Sequence, residues 1–558
     1  MKTRLCLVVA VATVATATTG AVSGATLYVS LESTNPVVPY ATWETAATNI
    51  QDAVDAAQAG DTVLVTNGVY AVGSREISVL DTNQEPPQFA SIGPSRVVVT
   101  NSIKLESVNG PSVTTMDGDD GDEWVRCLYM GGDATVHGIT LRNGRAGCGS
   151  GAYGGMLYNC TLVDNYAGDG GAAYGSTLYD CRLLGNRGQS KHCGGAWNST
   201  LYNCTLSGNS AFLYGGGAEE CTLYNCTLSS NSAWMGGGAF GSTLYNCTLT
   251  GNTAEGMISG GGGAFGSMLY NCTLTGNSTP YGGGGVLGCT LFNCTLTNNS
   301  ANSGGGASGG TLYNCIVTSN SAWIGGGAFG GTLYNSTLAG NSADWGGGVA
   351  GGTLYNSIAY YNTAPNGANY FTGSVPEGPE VSTLLNYSCT TPIPTEGIGN
   401  ITGPPLFLDM AAGDFRLREA SPCIDAGTNL VGFVMMATNV DTGEAYVSAS
   451  YACEPTDILG NTRFIDGNGD GVVAWDIGAY EFNSFKPPRF APQLKPTPNG
   501  FEFTVMGEPG QSVRIERSRN LMNWEEVATV PLPANGQTVI DPVATTEPFL
   551  FYRAVSVP

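Results

Sequence analysis

Four polar residues in the first half of the chain have side chains suited to proton transfer, namely Asp164, Asp180, Arg182 and His192. Carboxylates, imidazoles and cations that lie close together act as general acids and bases, for example when a glycosidic bond is cleaved. The same stretch holds further polar residues, namely Asp133, His137, Arg142, Asp169 and Lys191. The alternative is that all of these side chains are simply solvated at the surface.

A second group has the chemistry of a calcium site. In the stretch DGNGDGVVAWD, Asp466, Asn468 and Asp470 alternate, and Gly471 follows where a sharp turn is needed. Calcium prefers oxygen ligands, and helix–loop–helix calcium loops take them from alternating positions. We therefore expect a structural Ca²⁺ here, without flanking helices. The expected ligands are Asp466, Asn468, Asp470 and Asp476. The alternative is a turn rich in Asn and Gly.

Aromatic residues beside glycine runs could bind a ligand by stacking on sugar rings. The residues predicted to do so are Trp234, Tyr281, Trp323 and Trp345. For these, packing within the fold is an equal alternative. A second aromatic column recurs through the chain, and we expect it to cover a strand face, because stacked aromatic residues stabilise sheets. It comprises Tyr158, Tyr179, Tyr202, Tyr224, Tyr245, Tyr270, Phe292, Tyr313, Tyr334 and Tyr355.

An internal repeat must position most of these residues. Its consensus is Leu-Tyr-Asn-Cys-Thr-Leu-x-x-Asn-Ser-Ala, followed by glycines. The cysteine position recurs after 21 residues, as from Cys226 to Cys247, up to 25 residues, as from Cys247 to Cys272. It is occupied by Cys160, Cys181, Cys204, Cys226, Cys247, Cys272, Cys294, Cys315, Ser336 and Ser357. A fixed period in this range indicates a solenoid.

One repeat has the pattern of three short strands and three corners. Cys204 and Leu206 are two positions apart, as strand alternation requires, and we expect both to point inward. Asn203 and Asn209 mark two bends, since Asn tolerates the left-handed backbone conformation. The glycine run marks the third bend. This pattern predicts one turn of an all-β, right-handed parallel β-helix.

The β-helix is predicted over residues 26–362, with regular coils over 139–362 and an N-terminal capping helix over 42–60. In the capping stretch NIQDAVDAAQAG, apolar residues fall on one helical face before a glycine. Because like residues stack on like residues, Leu and Cys should form apolar columns. The Asn209 position should form a buried, hydrogen-bonded column.

The repeat sequences GNSAFLYGGGA and SNSAWMGGGAF resemble the repeats of polymorphic outer-membrane proteins, and the whole coil resembles the pectate-lyase-like β-helix superfamily. The resemblance implies the β-helix fold. It does not decide the function, because proteins with this fold include lyases, hydrolases, adhesins and passenger domains.

The N-terminal residues 1–25 have the basic start, short apolar stretch and small-residue end of a secretory signal peptide. We therefore expect a protein secreted by a bacterium or displayed on its outer surface. No later segment has the sequence of a membrane-spanning helix. A net charge of −23 disfavours nucleic acid as a partner, because binding to phosphates needs basic residues.

Residues 363–485 are predicted to cap the rod. The stretches PPLFLDMAAGDFRLREASPCIDAGTN and DILGNTRFIDGNGDGVVAWDIGAYEF resemble the choice-of-anchor Q domain, which implies surface attachment. Residues 486–496 are predicted to be a linker. Residues 497–558 alternate like strands at hairpin spacing and resemble a fibronectin-type or immunoglobulin-like β-sandwich.

The cysteines of the repeat are predicted to be free thiols. Stacked positions keep Cβ atoms about 4.8 Å apart, whereas a disulfide needs roughly 3.5–4.5 Å. Among the remaining cysteines, Cys423 and Cys453 are the expected bonded pair.

Two functions remain open from the sequence. We favour an exported, non-catalytic adhesive rod that binds a polysaccharide or another cell-surface ligand, because the regular coils have few catalytic residue types. The alternative is a polysaccharide lyase or glycoside hydrolase, whose active site would lie in the first coils.

Overall fold

The computed structural model describes residues 6–9, 24–81, 88–121, 123–256, 260–376, 378, 380–429, 433–438, 445–451, 456–482, 488–497, 500–507, 511–518, 524–533, 536–542 and 550–557. Most of the predicted signal peptide 1–25 lies outside these ranges, and so does Cys453. No helix within these ranges has the length and hydropathy of a membrane span.

The protein is all-β, with 48% strand and 2% helix, and its main body is a parallel β-solenoid of about 11 turns. Three long sheets, A, B and C, follow the solenoid, and each regular coil contributes one strand to each sheet. The first two strands of sheet C pair in antiparallel fashion. This architecture confirms the predicted fold class.

The strand bounds show how regular the coils are. Sheet A comprises Thr26–Val29, Thr62–Val65, Lys104–Ser107, Thr135–His137, Met156–Tyr158, Thr177–Tyr179, Thr200–Tyr202, Thr222–Tyr224, Thr243–Tyr245, Met268–Tyr270, Thr290–Phe292, Thr311–Tyr313, Thr332–Tyr334, Gly352–Tyr355 and Thr383–Asn386. Sheet B comprises Gly68–Tyr70, Thr114–Asp117, Thr140–Arg142, Thr161–Val163, Arg182–Leu184, Thr205–Ser207, Thr227–Ser229, Thr248–Thr250, Thr273–Thr275, Thr295–Thr297, Ile316–Thr318, Thr337–Ala339, Ile358–Tyr360 and Cys389–Thr390. Sheet C comprises Arg75–Asp81, Gln88–Val99, Arg126–Met130, Ala152–Tyr153, Ala173–Tyr174, Ala196–Trp197, Ala218–Glu219, Ala239–Phe240, Ala264–Phe265, Val286–Leu287, Ala307–Ser308, Ala328–Phe329, Val349–Ala350 and Tyr370–Phe371.

Shorter sheets complete the solenoid between sheets B and C. One consists of Arg145–Cys148, Tyr166–Gly170, Arg187–Gly188, Ser210–Ala211, Ser232–Ala233 and Thr253–Ala254, and the other of Ser300–Ser303, Ser321–Ile324 and Ser342–Trp345. Two-stranded pairs lie outside them, namely Asp119–Asp120 with Glu123–Trp124, Gly373–Ser374 with Glu380–Val381, Phe407–Asp409 with Asp414–Leu417, and Phe433–Thr438 with Ala445–Tyr451.

A coil therefore has one strand and one corner more than the sequence predicted. In the coil that starts at Thr200, the corner residues with positive φ are Asn203, Gly208, Gly215 and Glu220. Asn203 is a bend, as predicted. The second bend lies at Gly208, one residue before Asn209, because Asn209 itself turns inward and is fully buried.

The interior has the apolar columns that the repeat predicts. Leu201, Cys204 and Leu206 are at most 1% exposed. The Cys204 thiol accepts the N–H of Cys181 at 3.4 Å and donates to the carbonyl of Tyr202 at 3.3 Å. All eight repeat cysteines are buried, free thiols, which confirms that prediction. They act as small fillers of the core.

The buried asparagine column is a continuous hydrogen-bonded ladder. The Asn209 side-chain carbonyl accepts the Asn186 N–H at 3.0 Å and the Asn186 amide at 2.9 Å. Its own amide donates to the carbonyl of Leu183 and to the side chain of Asn231, both at 2.9 Å. Every polar atom of the amide is thus used, which offsets the cost of burying it.

The glycine runs allow consecutive coils to approach closely. A Cβ added at Gly238 would lie 2.5 Å from the carbonyl oxygen of Gly263 in the next coil, and one at Gly237 would lie 2.3 Å from the Thr253 carbonyl. No side chain fits in that space. The runs therefore occur because any larger residue would separate the coils at this corner.

Other segments of the chain pack on the N-terminal end of the solenoid and on the side of its last coils. At the N-terminal end, the 3₁₀ turn Trp43–Thr45 precedes the helix Ile50–Ala56, which buries Ile50 and Val54 against the first coil. At the other end, stacked strands continue to Thr390, beyond the predicted boundary at 362. Trp475 of the following segment packs on Tyr313 of sheet A.

The C-terminal module consists of two sheets around one core. The strands are Arg489–Thr497, Gly500–Met506 and Gln537–Asp541 in one sheet, and Cys6–Val9, Leu550–Val557, Ser512–Ser518 and Glu525–Pro531 in the other. Phe503 and Val505 of the first sheet pack with Ile515 and Tyr552 of the second. The strand Arg489–Thr497 takes up most of the predicted linker 486–496, because its alternating residues pair with the next strand.

The first prediction concerns the buried ladder. Asn252→Ala should lower the free energy of unfolding by about 3 kcal/mol or more, because it leaves several buried groups without partners. Those groups include the Leu228 carbonyl and the Asn231 N–H. Asn246→Gly is the matched control, since Asn246 is exposed and has a φ of 54°, which Gly adopts easily. Equal losses in thermal or urea unfolding would contradict a special role for the buried ladder.

The second prediction concerns the repeat thiols. Titration of the denatured, unreduced protein should detect at least eight free thiols, because each repeat cysteine is held at ladder spacing. A smaller number would mean that some ladder cysteines form disulfides, and it would contradict the stacked arrangement.

Candidate functional site

A groove in the first coils brings aromatic, acidic and basic side chains together. Its volume is about 540 Å³. It is lined by Asp119, Trp124, Asn143, Arg145, Asp164, Asn165, Tyr166, Gly185 and Arg187. Trp124 is 44% exposed and meets Tyr166 edge to face at 5.8 Å between ring centroids.

The stacking of coils places the basic residues of this groove. Arg145, Tyr166 and Arg187 occupy one register position in three successive strands of the short sheet. The two arginine backbones are therefore two strand spacings apart, roughly 9.6 Å, with Tyr166 between them. In the next coils Ser210 and Ser232 take this position, so the charged part of the column ends there.

An insertion forms the opposite wall of the groove. The pair Asp119–Asp120 and Glu123–Trp124 projects between a strand of sheet B and a strand of sheet C. Its base is fixed by Asp117, which accepts Arg142 Nε at 2.7 Å, the Asn143 amide at 3.0 Å and the Asp119 N–H at 3.1 Å. Burial acts to raise the pKa of Asp117, but these hydrogen bonds hold it below its usual value.

A second, more apolar groove also has Trp124 in its lining. It has a volume of about 490 Å³ and includes Tyr153 and Tyr174, whose rings lie 5.0 Å apart. Beneath it, the buried Arg126 donates to the carbonyls of Cys148 and Ile92 and lies 5.3 Å from the Tyr153 ring centre. Arg126 thereby joins the strand that follows the hairpin to its neighbours, and Trp124 lines two grooves of different polarity.

The four predicted catalytic residues do not form one site. Asp164 lines the groove, at a left-handed corner with a φ of 53°. Asp180 lies at the outer corner and accepts the Asn203 amide at 3.2 Å. Arg182 is an exposed residue of sheet B. His192 belongs to a different cluster, described next.

His192 pairs with a buried carboxylate that sequence reasoning missed. Its Nδ1 lies 2.8 Å from Glu219 Oε1, and its ring stacks on Trp197 at 4.4 Å and 7°. Glu219 also accepts the Cys193 N–H at 2.9 Å. Burial raises the pKa of the Glu219 carboxyl. The flat ring of His192 covers one face of Trp197, which lies in sheet C. This cluster therefore holds the coil between Cys181 and Cys204 against sheet C.

The predicted ligand-binding aromatics divide into two pairs. Trp234 and Tyr281 are each 40% exposed, and Trp234 stacks on Phe212 at 5.3 Å. Trp323 and Trp345 instead pack against a small core that includes Val375. This packing gives Trp323 and Trp345 a structural role and leaves Trp234 and Tyr281 as the exposed pair.

The outward tyrosine column is a continuous stack. From Tyr158 to Tyr355, neighbouring ring centroids lie between 4.7 Å and 5.3 Å apart, at interplanar angles of 4° to 9°. Within the column each ring face is covered by the next ring, so these inner faces are not open to a sugar. The column therefore covers sheet A, as expected from the sequence.

Only three of the four predicted calcium ligands lie in one exposed loop. Asp466 accepts backbone N–H groups of Gly469 and Gly471, at 2.7 Å and 2.9 Å. Asp470 and Asn468 lie in the same loop. Asp476 is turned away into the interior, where it accepts the Asp425 N–H at 2.8 Å and burial raises its pKa to about 6. Within the described ranges, no group of three or more His, Cys, Asp or Glu residues is arranged for a metal ion.

The sequence does contain one feature that points to the groove residues Tyr166 and Arg187. The position after the ladder asparagine is Ser or Thr in the later coils, as at Ser210 and Thr253, but Tyr166 and Arg187 occupy it in the first coils. A departure from a strict repeat identifies a position that stacking alone does not determine.

Comparison with known proteins identifies no matching family model and no matching curated sequence. Among solved structures, a pectate lyase, Pel9A, is similar over 83% of this chain and 97% of its own, at 13% identity and a TM-score of 0.28. A rhamnogalacturonan lyase is similar over 70% and 92%, at 12% identity and a TM-score of 0.24. The tailspike gp49 of Acinetobacter baumannii bacteriophage Fri1, a capsular polysaccharide depolymerase, is similar over 89% and 79%, at 11% identity and a TM-score of 0.20.

The third prediction is that calcium binds to the loop of Asp466, Asn468 and Asp470. Excess EDTA should lower the melting temperature of the C-terminal cap, because a ligand bound only by the folded state stabilises that state. In Asp466→Asn, added calcium should no longer raise the melting temperature. Glu32→Gln, an exposed carboxylate near the other end of the rod, is the control. An unchanged melting curve and no calcium in elemental analysis would rule the site out.

Proposed function

We propose that this protein is an exported glycan-binding rod and that the groove beside Trp124 is its saccharide site. The observation that carries this proposal is the composition of the groove, where an exposed indole lies among planar polar side chains. An aromatic face suits the apolar face of a sugar ring, and carboxylates, amides and guanidinium groups form paired hydrogen bonds with neighbouring hydroxyls.

The position of the groove supports binding of a chain rather than of a single sugar. The polar subsite with Arg145 and Arg187 and the aromatic subsite with Tyr153 and Tyr174 share Trp124 in their lining. Both are open, and their residues repeat along the direction in which coils stack. The two sets of residues form side-by-side columns along the rod, so a glycan with several residues would contact both subsites by lying across the coils.

A second function, glycan cleavage, is favoured by one specific observation. Asp119 and Asp164 both line the polar subsite. Glycoside hydrolysis commonly uses two carboxylates on either side of the scissile bond. The two functions share the same groove, so variants of different residues distinguish them.

The fourth prediction tests both functions. Trp124→Ala should weaken binding to a panel of polysaccharides about tenfold, which corresponds to ~1.4 kcal/mol, measured by affinity electrophoresis or calorimetry. Trp43→Ala is the matched control, because Trp43 is 40% exposed and lies in the N-terminal cap. Equal weakening by both variants, or no binding to any glycan, would refute the groove as the site.

A reducing-sugar assay on the same panel tests cleavage. If the protein only binds glycans, no products form. If it cleaves them, Asp119→Asn and Asp164→Asn should each remove turnover while binding persists, and the non-catalytic rod would then be the wrong choice.

A further inference from the structure

Two cysteines outside the repeat meet where the C-terminal segment covers the last coils. Cys389 lies in the final strand of sheet B, paired with Ile358 of the preceding coil. Cys423 lies in the segment that follows the strand Asp414–Leu417, and its carbonyl accepts the Ile477 N–H at 2.9 Å. Both side chains are fully buried and belong to one apolar cluster with Phe407.

The two cysteines belong to the same buried cluster, and the neighbouring Cys389 thiol together with burial raises the pKa of Cys423 well above its usual value. Cys389 also donates to the Gly403 carbonyl at 3.1 Å. The sequence led us to expect Cys423 to pair with Cys453, but in the structure Cys423 is a free thiol beside Cys389.

This pair differs in geometry from the repeat cysteines. Repeat thiols occupy the same position in successive coils, where strand pairing holds them at ladder spacing. Cys389 faces outward from sheet B toward the covering segment, on the register position of Ile316, Thr337 and Ile358. Cys423 belongs to the covering segment and not to the stacked strands of sheet B, so ladder spacing does not fix its distance from Cys389.

We propose that Cys389 and Cys423 form an intrachain disulfide when the protein folds in an oxidising compartment, joining the last coil to the segment that covers it. The oxidant is a disulfide of a small molecule or of a thiol oxidase. One cysteine thiolate attacks it and releases one thiol. The second thiolate then attacks this mixed disulfide, forms the Cys389–Cys423 bond and releases the second thiol.

Burial determines when the reaction occurs. Thiolates are the reacting species, and the buried, neutral thiols of the closed state react slowly. The bond therefore forms before the covering segment has fully docked. Once formed, it is shielded from reductants by the same apolar cluster. The buried pair thus becomes a permanent covalent link between coil and cap.

The experiment refolds the reduced full chain in a mixture of oxidised and reduced glutathione, blocks the remaining thiols by alkylation and maps the peptides without reduction. The expected result is one linked peptide pair that contains Cys389 and Cys423. The oxidised protein should melt several degrees above the reduced protein, and this difference should vanish in Cys389→Ser and Cys423→Ser. Cys226→Ser, a repeat cysteine, should retain both the link and the difference.

Peptide mapping of the chain without substitutions tests the proposal even if one of the cysteine variants does not fold. A link from Cys423 to Cys453 would overturn the proposal. So would complete alkylation of Cys389 and Cys423 after oxidative refolding.

Discussion

Register between coils is the constraint on which the rest of the structure depends. Each coil satisfies its backbone groups mainly by bonding to the coil before it and the coil after it, so every position must suit a copy of itself one strand spacing away. Three positions meet this requirement in different ways, namely the inward amide of Asn209, the ring of Tyr202 and the corner without a side chain at Gly238. The amide passes a hydrogen bond onward, the ring stacks, and glycine leaves room for the next carbonyl.

The candidate groove lies where that requirement is relaxed. In the regular coils each outward position is occupied by the residue that best covers its own copy, as the stacked tyrosines show. In the first coils the insertion that carries Trp124 separates a groove from the rod, and Tyr166 and Arg187 replace the small residues of later coils. The site therefore lies at the boundary between irregular and regular coils, where neighbours differ enough to form a concave surface.

The sequence predicted those features that repetition determines. The inward columns of Leu201 and Cys204, the bend at Asn203 and the Asn209 ladder follow from period and residue type, because each copy repeats the same information. The groove could not be predicted in the same way. It depends on how far the hairpin of Trp124 reaches and on the bonds that hold Asp117, which occur once and leave no period. The partial burial of Trp323 likewise depends on a distant segment that folds back over the coil.

The direction of the bonds between coils has a mechanical consequence. Strands run across the rod, so the hydrogen bonds that join successive coils lie along its axis, and a pull on the two ends loads them in series. A rod under such tension should yield at its weakest coil junction rather than shear as a whole. Each coil that detaches releases its full contour, about 70 Å for a period of 21 residues. A rod built in this way would absorb a sudden load by lengthening stepwise while its remaining coils stay intact.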